Sequence, residues 1–323
     1  MGSNWPRLAM ICYFCKSIRH LPYWKEGMPY RIMNKKIDAM KSGKRILTIL
    51  FFLLAFLPAY AGHQQKTVRI LAIGNSFSAD AVEQNLYELA KSDGIDLIIG
   101  NMYIGGCSLE RHVKNLRGDI PDYEYRKIVN GRKSNTKDFT LEKALADEQW
   151  DYVSFQQCSP LSGKYDSYSA SLPELVSFVR QRVPKSAKLM LHMTWAYSKD
   201  SNHPAFADYD RNQMEMYSQI VSANRKAAKL TGIRIIIPCG TAIQNARTSF
   251  VGDHLNRDGY HLDKMIGRYV AACTWYEAIF KRNAVDNPYA PAGLPEDRRK
   301  VARMSAHKAI CHPFRVTKIN IPE

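Results

Sequence analysis

Three residues of this chain have the types and spacing for nucleophilic catalysis. Ser76 closes the stretch Val68-Arg-Ile-Leu-Ala-Ile-Gly-Asn-Ser76. The apolar, β-branched run before it reads as a buried strand. A helix is expected to begin a few residues later, near Ala79. A serine at such a strand-to-helix turn stands at the carboxyl edge of a sheet, where open α/β folds bind ligands. The neighbouring backbone N–H groups are free to meet a developing negative charge. A serine hydroxyl is a weak nucleophile and needs a base. Asp258-Gly-Tyr-His261 supplies one far downstream. A spacing of three brings a carboxylate against imidazole Nδ1 and leaves Nε2 to take a proton. Each segment also has a plainer reading. Ser76 or Ser78 can be only a helix N-cap with Gly74 as a turn, and Asp258 can cap the next helix with His261 on its surface.

Read together and in order, the motifs resemble those of the SGNH (GDSL-like) hydrolases. Gly-Asn-Ser76-Phe-Ser is similar to the first block of that family, and Asp258-Gly-Tyr-His261 to the last. The resemblance implies a triad of Ser76, Asp258 and His261. It also implies a second block at Asn101-Met-Tyr-Ile-Gly105-Gly106 and a third at Trp150-Asp-Tyr-Val-Ser-Phe-Gln156-Gln157. In the family these blocks give the oxyanion hole a glycine N–H and an amide side chain. Here that implies Ser76 N–H, Gly106 ahead of Gly105, and Gln157 ahead of Gln156. The sequence departs from the common pattern twice: Gly-Asn-Ser replaces Gly-Asp-Ser, and the third block has Gln-Gln in place of Gly-x-Asn-Asp. Carbohydrate acetylesterase branches also place Gln there, so O-acetylated glycans are the substrate class the resemblance implies. Two alternatives stay open: a lipase or thioesterase on the same fold, and a non-catalytic glycan-binding protein that kept the scaffold.

These residues need a frame to hold them. Strands are expected at Val68–Gly74, Asp96–Ile104, Tyr152–Gln156, Ala187–Met193 and Ile233–Pro238. Helices are expected at Ala79–Ser92, Leu141–Asp147, Leu172–Val183, Asp210–Leu230, Lys264–Lys281 and Glu296–Lys308. This alternation predicts a parallel sheet covered on both faces. The fold expected is a three-layer α/β/α sandwich with a mainly parallel, five-stranded sheet. The family resemblance implies a flavodoxin-like strand order. Asn130-Gly131, between Tyr/Ile/Val-containing runs, predicts a small hairpin insertion between Tyr123 and Phe139.

The ends of the chain read differently from its middle. Lys41, Lys44 and Arg45 precede the apolar run Ile46 to Leu57, and Ala59-Tyr-Ala61 follows it. This is the pattern of a secretory signal with an A-x-A cleavage site. The run is short for a membrane span. Residues 1–39 are expected to be an overlong gene start, 40–61 a signal peptide, and 62–323 one domain ending in a wrapping tail. The mature protein is then secreted or periplasmic in a bacterium, with no stable membrane insertion.

Net charge is +16. The first 61 residues hold ten Lys/Arg against two Asp/Glu, and the rest 36 against 28. No basic run interleaved with aromatics appears, so nucleic acid is not an expected partner. The expected partner is a small-molecule or glycan ester. No histidine spacing suits zinc, and no cofactor is expected. Five cysteines follow the signal: Cys107, Cys158, Cys239, Cys273 and Cys311. An odd number leaves at least one unpaired. A pairing of Cys273 with Cys311 stays open, as does a Cys–His site using His112 or His261. Trp195, near the end of the fourth strand, is placed either to stack on a sugar or to fill the core.

Overall fold

The computed structural model describes residues 67–321. The expected gene-start segment and the secretory signal lie outside the described residues. The strands are β1 (Val68–Gly74), β2 (Leu97–Tyr103), β3 (Tyr123–Val129), β4 (Arg132–Phe139), β5 (Tyr152–Phe155), β6 (Lys188–His192) and β7 (Ile235–Ile237). They form one sheet in the order β4-β3-β2-β1-β5-β6-β7. The five expected parallel strands run in the order β2-β1-β5-β6-β7.

The sheet has seven strands, not five. The hairpin between Tyr123 and Phe139 does not stand apart as an insertion. Its first strand pairs antiparallel with β2, from Ile99 opposite Ile128 to Tyr103 opposite Glu124. An exposed β2 edge would have left a row of backbone groups unpaired, and the hairpin covers it. Asn130 and Gly131 both take positive φ, 52° and 74°, as a tight hairpin turn requires. The new edge, β4, is charged and exposed along nearly its whole length.

Alternation along β1 builds two cores. Ile70 and Ala72 join the apolar cluster on one face, while Leu71 and Ile73 join the cluster on the other. Helices α1 (Ser76–Val82) and α2 (Leu86–Ser92) lie on the first face. Helices α3 (Leu109–Arg117), α4 (Leu141–Asp147), α5 (Tyr165–Ser169) and α6 (Leu172–Arg180) lie on the second. Helix α7 (Gln213–Thr231) contributes Met216 and Ile220 to one cluster and Ala223 and Ala227 to the other. Helices α8 (Cys239–Arg247), α9 (Ile266–Phe280) and α10 (Glu296–Cys311) complete the first layer.

Two local expectations change. The helix expected over Ala79–Ser92 is two helices, because Asn85 takes a left-handed φ of 62° and breaks the ladder. The first of them starts at Ser76 rather than Ala79, since Asn75 caps it. All five described cysteines are free, so Cys273 and Cys311 do not pair. Cys273 is fully buried and Cys311 exposed. Among the described residues, no helix is long and apolar enough to cross a membrane.

Candidate active site

The turn that carries Ser76 is fixed by two neighbours. A Cβ on Gly74 would sit 2.7 Å from Ser78 Oγ and 2.9 Å from Gln156 Cδ, so only glycine fits where β1 ends. Asn75 then takes an extended conformation, and its Oδ1 accepts the Phe77 N–H at 3.0 Å, the bond of an N-cap. Its Nδ2 donates to the Cys107 carbonyl at 3.0 Å, tying the turn to the loop after β2. The Asn in Gly-Asn-Ser is therefore a buried brace, 1% exposed. Ser76 becomes the first residue of α1.

His261 sits on the loop between α8 and α9. An isolated bridge pairs Asn256 with Leu262, and Arg257 N–H donates to the His261 carbonyl at 3.0 Å. Trp195 Nε1 donates to the Tyr260 carbonyl at 2.8 Å. Within this closed loop, Asp258 Oδ1 accepts the backbone N–H groups of His261 (2.7 Å) and Tyr260 (3.2 Å). Its Oδ2 lies 2.7 Å from His261 Nδ1. With Nδ1–H donating to the carboxylate, Nε2 is left to accept. It stands 2.8 Å from Ser76 Oγ. The structure thus brings Ser76, His261 and Asp258 into one hydrogen-bonded chain. Burial pushes the Asp258 carboxyl up, but the hydrogen bonds from His261 and from the two backbone N–H groups outweigh it and hold the carboxyl below its ordinary range.

His254, the other histidine of this loop, is exposed. Its neighbour Asp253 cannot orient it. That carboxylate pairs with Arg247 at 2.6 Å and accepts Lys199 N–H at 2.7 Å.

Ser76 and His261 open onto a cleft of about 290 Å³ whose other walls include Tyr103, Gly106, Ser159, Pro160, His203 and Tyr260. Gly105 and Gly106 occupy the middle of a turn closed by Cys107 N–H to the Ile104 carbonyl, 3.2 Å. Gly106 has φ +64°, which a side chain would strain. Among the described residues, no acceptor bonds to the N–H of Ser76, Gly105 or Gly106. His203 adds a polar ring. Its Nδ1 accepts Ala205 N–H at 3.2 Å, so the neutral ring carries its proton on Nε2. Burial, and then the proximity of His261, hold its pKa below the ordinary histidine value.

The structure corrects the expectation for Gln156 and Gln157, because neither side chain lines the cleft. Gln156 Nε2 donates to Asn75 Oδ1 at 2.7 Å, and its Oε1 lies 2.8 Å from His192 Nδ1. Gln157 Oε1 accepts Leu109 N–H and Cys158 N–H, both at 2.9 Å, and its Nε2 donates to Ser167 Oγ at 2.9 Å. A buried amide is spent on whatever unpaired groups lie nearest, and here those are structural. Trp195 is also core: it is fully buried and stacks on Phe77 with ring centroids 4.4 Å apart. The Cys–His alternative finds a pair in Cys107 and His112, with Sγ and Nδ1 3.6 Å apart. Both are fully buried. Burial pushes the thiol up to about 12 and the imidazole down to about 3, so the pair is neutral and inert. Among the described residues, no group of three His, Cys, Asp or Glu is placed to hold a metal ion.

Sequence reasoning missed the cleft walls His203, Tyr103 and Tyr260, which no local pattern marks. It also missed Asp80. That residue had a signal: a charge three residues after Phe77 and beside Ala81, on the apolar face of a helix.

Residues 69–309 match the family described as Domain of unknown function (DUF4886). The chain belongs to the DUF4886 family. A DUF4886 family protein from Bacteroides uniformis ATCC 8492 is 61% identical, and its crystal structure superposes with a TM-score of 0.78 over 79% of this chain and 98% of that one. Solved structures at much lower identity also match. An acetyl xylan esterase, AlAXEase, is 15% identical, with a TM-score of 0.42 over 66% of this chain and 100% of that one. The acetylxylan esterase Axe2 from Geobacillus stearothermophilus is 12% identical, with a TM-score of 0.42 over 66% and 93%. Comparison with the curated proteins returns no match.

Proposed function

We propose that this DUF4886 protein is a serine esterase of the SGNH type that removes O-acetyl groups from glycans after export from a bacterial cell. The observation that carries the proposal is the chain Ser76 Oγ–His261 Nε2 (2.8 Å) and His261 Nδ1–Asp258 Oδ2 (2.7 Å) at the carboxyl edge of the sheet. Ser76 Oγ attacks the ester carbonyl carbon as His261 Nε2 takes its proton. Asp258 holds the imidazole in the tautomer that accepts at Nε2 and offsets the charge that forms. The N–H groups of Ser76 and Gly106, without an acceptor among the described residues, receive the oxyanion. Collapse of the tetrahedral species releases the alcohol, protonated from His261. Water then repeats the sequence on the acetyl-enzyme and frees acetate.

The size of the cleft, about 290 Å³, supports a small acyl group over a long chain. Tyr103 and Tyr260 give it aromatic walls suited to a sugar face, and His203 Nε2–H gives it a neutral donor for a sugar hydroxyl. Export rests on the basic, apolar and Ala-x-Ala pattern of residues 41–61. The test is turnover of acetylated oligosaccharides and an aryl acetate by the purified protein, beside Ser76→Ala. Release of acetate by the wild type alone is the expected result. Equal release by both proteins, or none by the wild type, ends the proposal.

A further inference from the structure

Nothing in the triad itself explains how two segments 185 residues apart in sequence are held 2.8 Å apart. Asp80 does. It lies one helical turn after Ser76 on α1, and its side chain is 2% exposed. Its Oδ2 accepts the Leu262 N–H at 2.9 Å, on the residue directly after His261. The same carboxylate accepts Arg257 Nη1 at 3.0 and 3.1 Å. Arg257 in turn closes the loop on itself: its N–H donates to the His261 carbonyl and its Nη1 to the Leu262 carbonyl. Arg268, on α9, donates to Asp80 Oδ1 through Nε at 2.8 Å and pairs with it through Nη2 at 2.7 Å. A single buried carboxylate therefore fastens the nucleophile's helix to both sides of the base.

The charges matter as much as the bonds. Arg257 Nε stands 4.0 Å from Asp258 Oδ2, the oxygen that holds His261. While Asp80 occupies the guanidinium, Arg257 stays at that distance. Without Asp80, Asp258 is the nearest anion, and Arg257 would compete with His261 Nδ1 for Oδ2. Asp80, Asp258, Arg257 and Arg268 balance to zero as a set, and Asp80, its buried member, is paired with both arginines.

We infer that Asp80 is a positioning residue: it sets the Ser76–His261 distance and keeps Arg257 off the carboxylate of Asp258. The inference rests on the esterase reading above. A misplacement of about 1 Å costs roughly 10²-fold in rate.

The experiment compares wild type, Asp80→Asn, Arg268→Gln and Arg257→Lys in two assays. One is kcat and KM on an aryl acetate. The other is the rate at which a fluorophosphonate labels Ser76, read by intact mass. Thermal melts accompany both. Asp80→Asn should lower kcat and labelling by roughly 10²-fold with KM changed under about threefold. Arg268→Gln removes a partner of Asp80 but no side-chain contact of the 257–262 loop. It should lower the melting temperature as much, yet keep kcat within about threefold. Arg257→Lys keeps the charge, but every bond to Asp80 and to the Leu262 carbonyl runs through Nη1 at the far end of the guanidinium, and the shorter lysine side chain falls short of that position. It should lose at least about tenfold in kcat, and it decides the matter should Asp80→Asn not fold. Labelling of Asp80→Asn at the wild-type rate, an equal loss in Arg268→Gln, or an unchanged Arg257→Lys overturns the assignment of Asp80 alone. A wild type that is neither labelled nor active overturns the esterase reading and this inference with it.

Discussion

Replacing Asp258 by asparagine should lower turnover roughly ten-thousand-fold while the protein stays folded. The structure says which way the amide must point. Asp258 Oδ1 accepts two backbone N–H groups, from His261 and Tyr260. An asparagine NH₂ placed there would face two donors, so its carbonyl takes that position. The NH₂ group then falls where Oδ2 lies 2.7 Å from His261 Nδ1. A donor opposite Nδ1 makes Nδ1 the acceptor and moves the ring proton to Nε2. Nε2–H can donate to Ser76 Oγ but cannot take its proton. A wrong tautomer of this kind costs about 10⁴ in kcat, or about 5.4 kcal/mol of barrier. The stability cost is much smaller. A charged hydrogen bond contributes about 1.5–3 kcal/mol when buried, and the Asp258 side chain, 39% exposed, keeps only part of that. Saturating kinetics on an aryl acetate, with a thermal melt of the same sample, measures both. A folded Asp258→Asn variant within tenfold of wild-type kcat would refute the role given to Asp258.

Three further outcomes follow from the same geometry. Ser76→Ala removes the nucleophile but leaves the Asn75 cap and its bonds in place, so activity should fall to background with the melting temperature nearly unchanged. A folded variant with wild-type turnover would remove Ser76 from the mechanism. His261→Ala should be nearly as damaging, whereas His254→Ala, on an exposed side chain whose neighbouring carboxylate is taken by Arg247, should keep most of its rate; the reverse ranking would reassign the base. Gln156→Leu strands His192 Nδ1 and removes one of the two donors to Asn75 Oδ1, which keeps the Phe77 N–H, so denaturant melts should show a loss of about 1–3 kcal/mol with kcat down only a few-fold. An unchanged denaturation midpoint with a hundredfold drop in kcat would return Gln156 to the oxyanion hole.

Much of the site was legible one segment at a time. Gly74-Asn-Ser76 and Asp258-Gly-Tyr-His261 are local patterns, and each states its geometry through a turn or a three-residue spacing. The five parallel strands were legible too, because a strand buried on both faces must be apolar throughout. Asn130-Gly131 announced its turn by the same logic, since few residues accept two positive φ values in a row. What the hairpin would pair with was not local. β3 joins the sheet because β2 presents an edge there, and that edge exists only once the sheet is assembled. The glutamines show the other limit. β5 ends at Phe155, just before Gln156 and Gln157, and neither amide reaches the cleft. A polar side chain's role is set by the partner within about 3 Å, and that partner comes from another part of the chain. Asn75 for Gln156, Leu109 for Gln157 and Leu262 for Asp80 are such partners, and Asp80 is the case where the sequence showed only an acid on an apolar helix face. Residue types and short spacings determined which groups could do the chemistry. Long-range packing decided which polar groups reach the cleft and which are consumed in holding its walls in place.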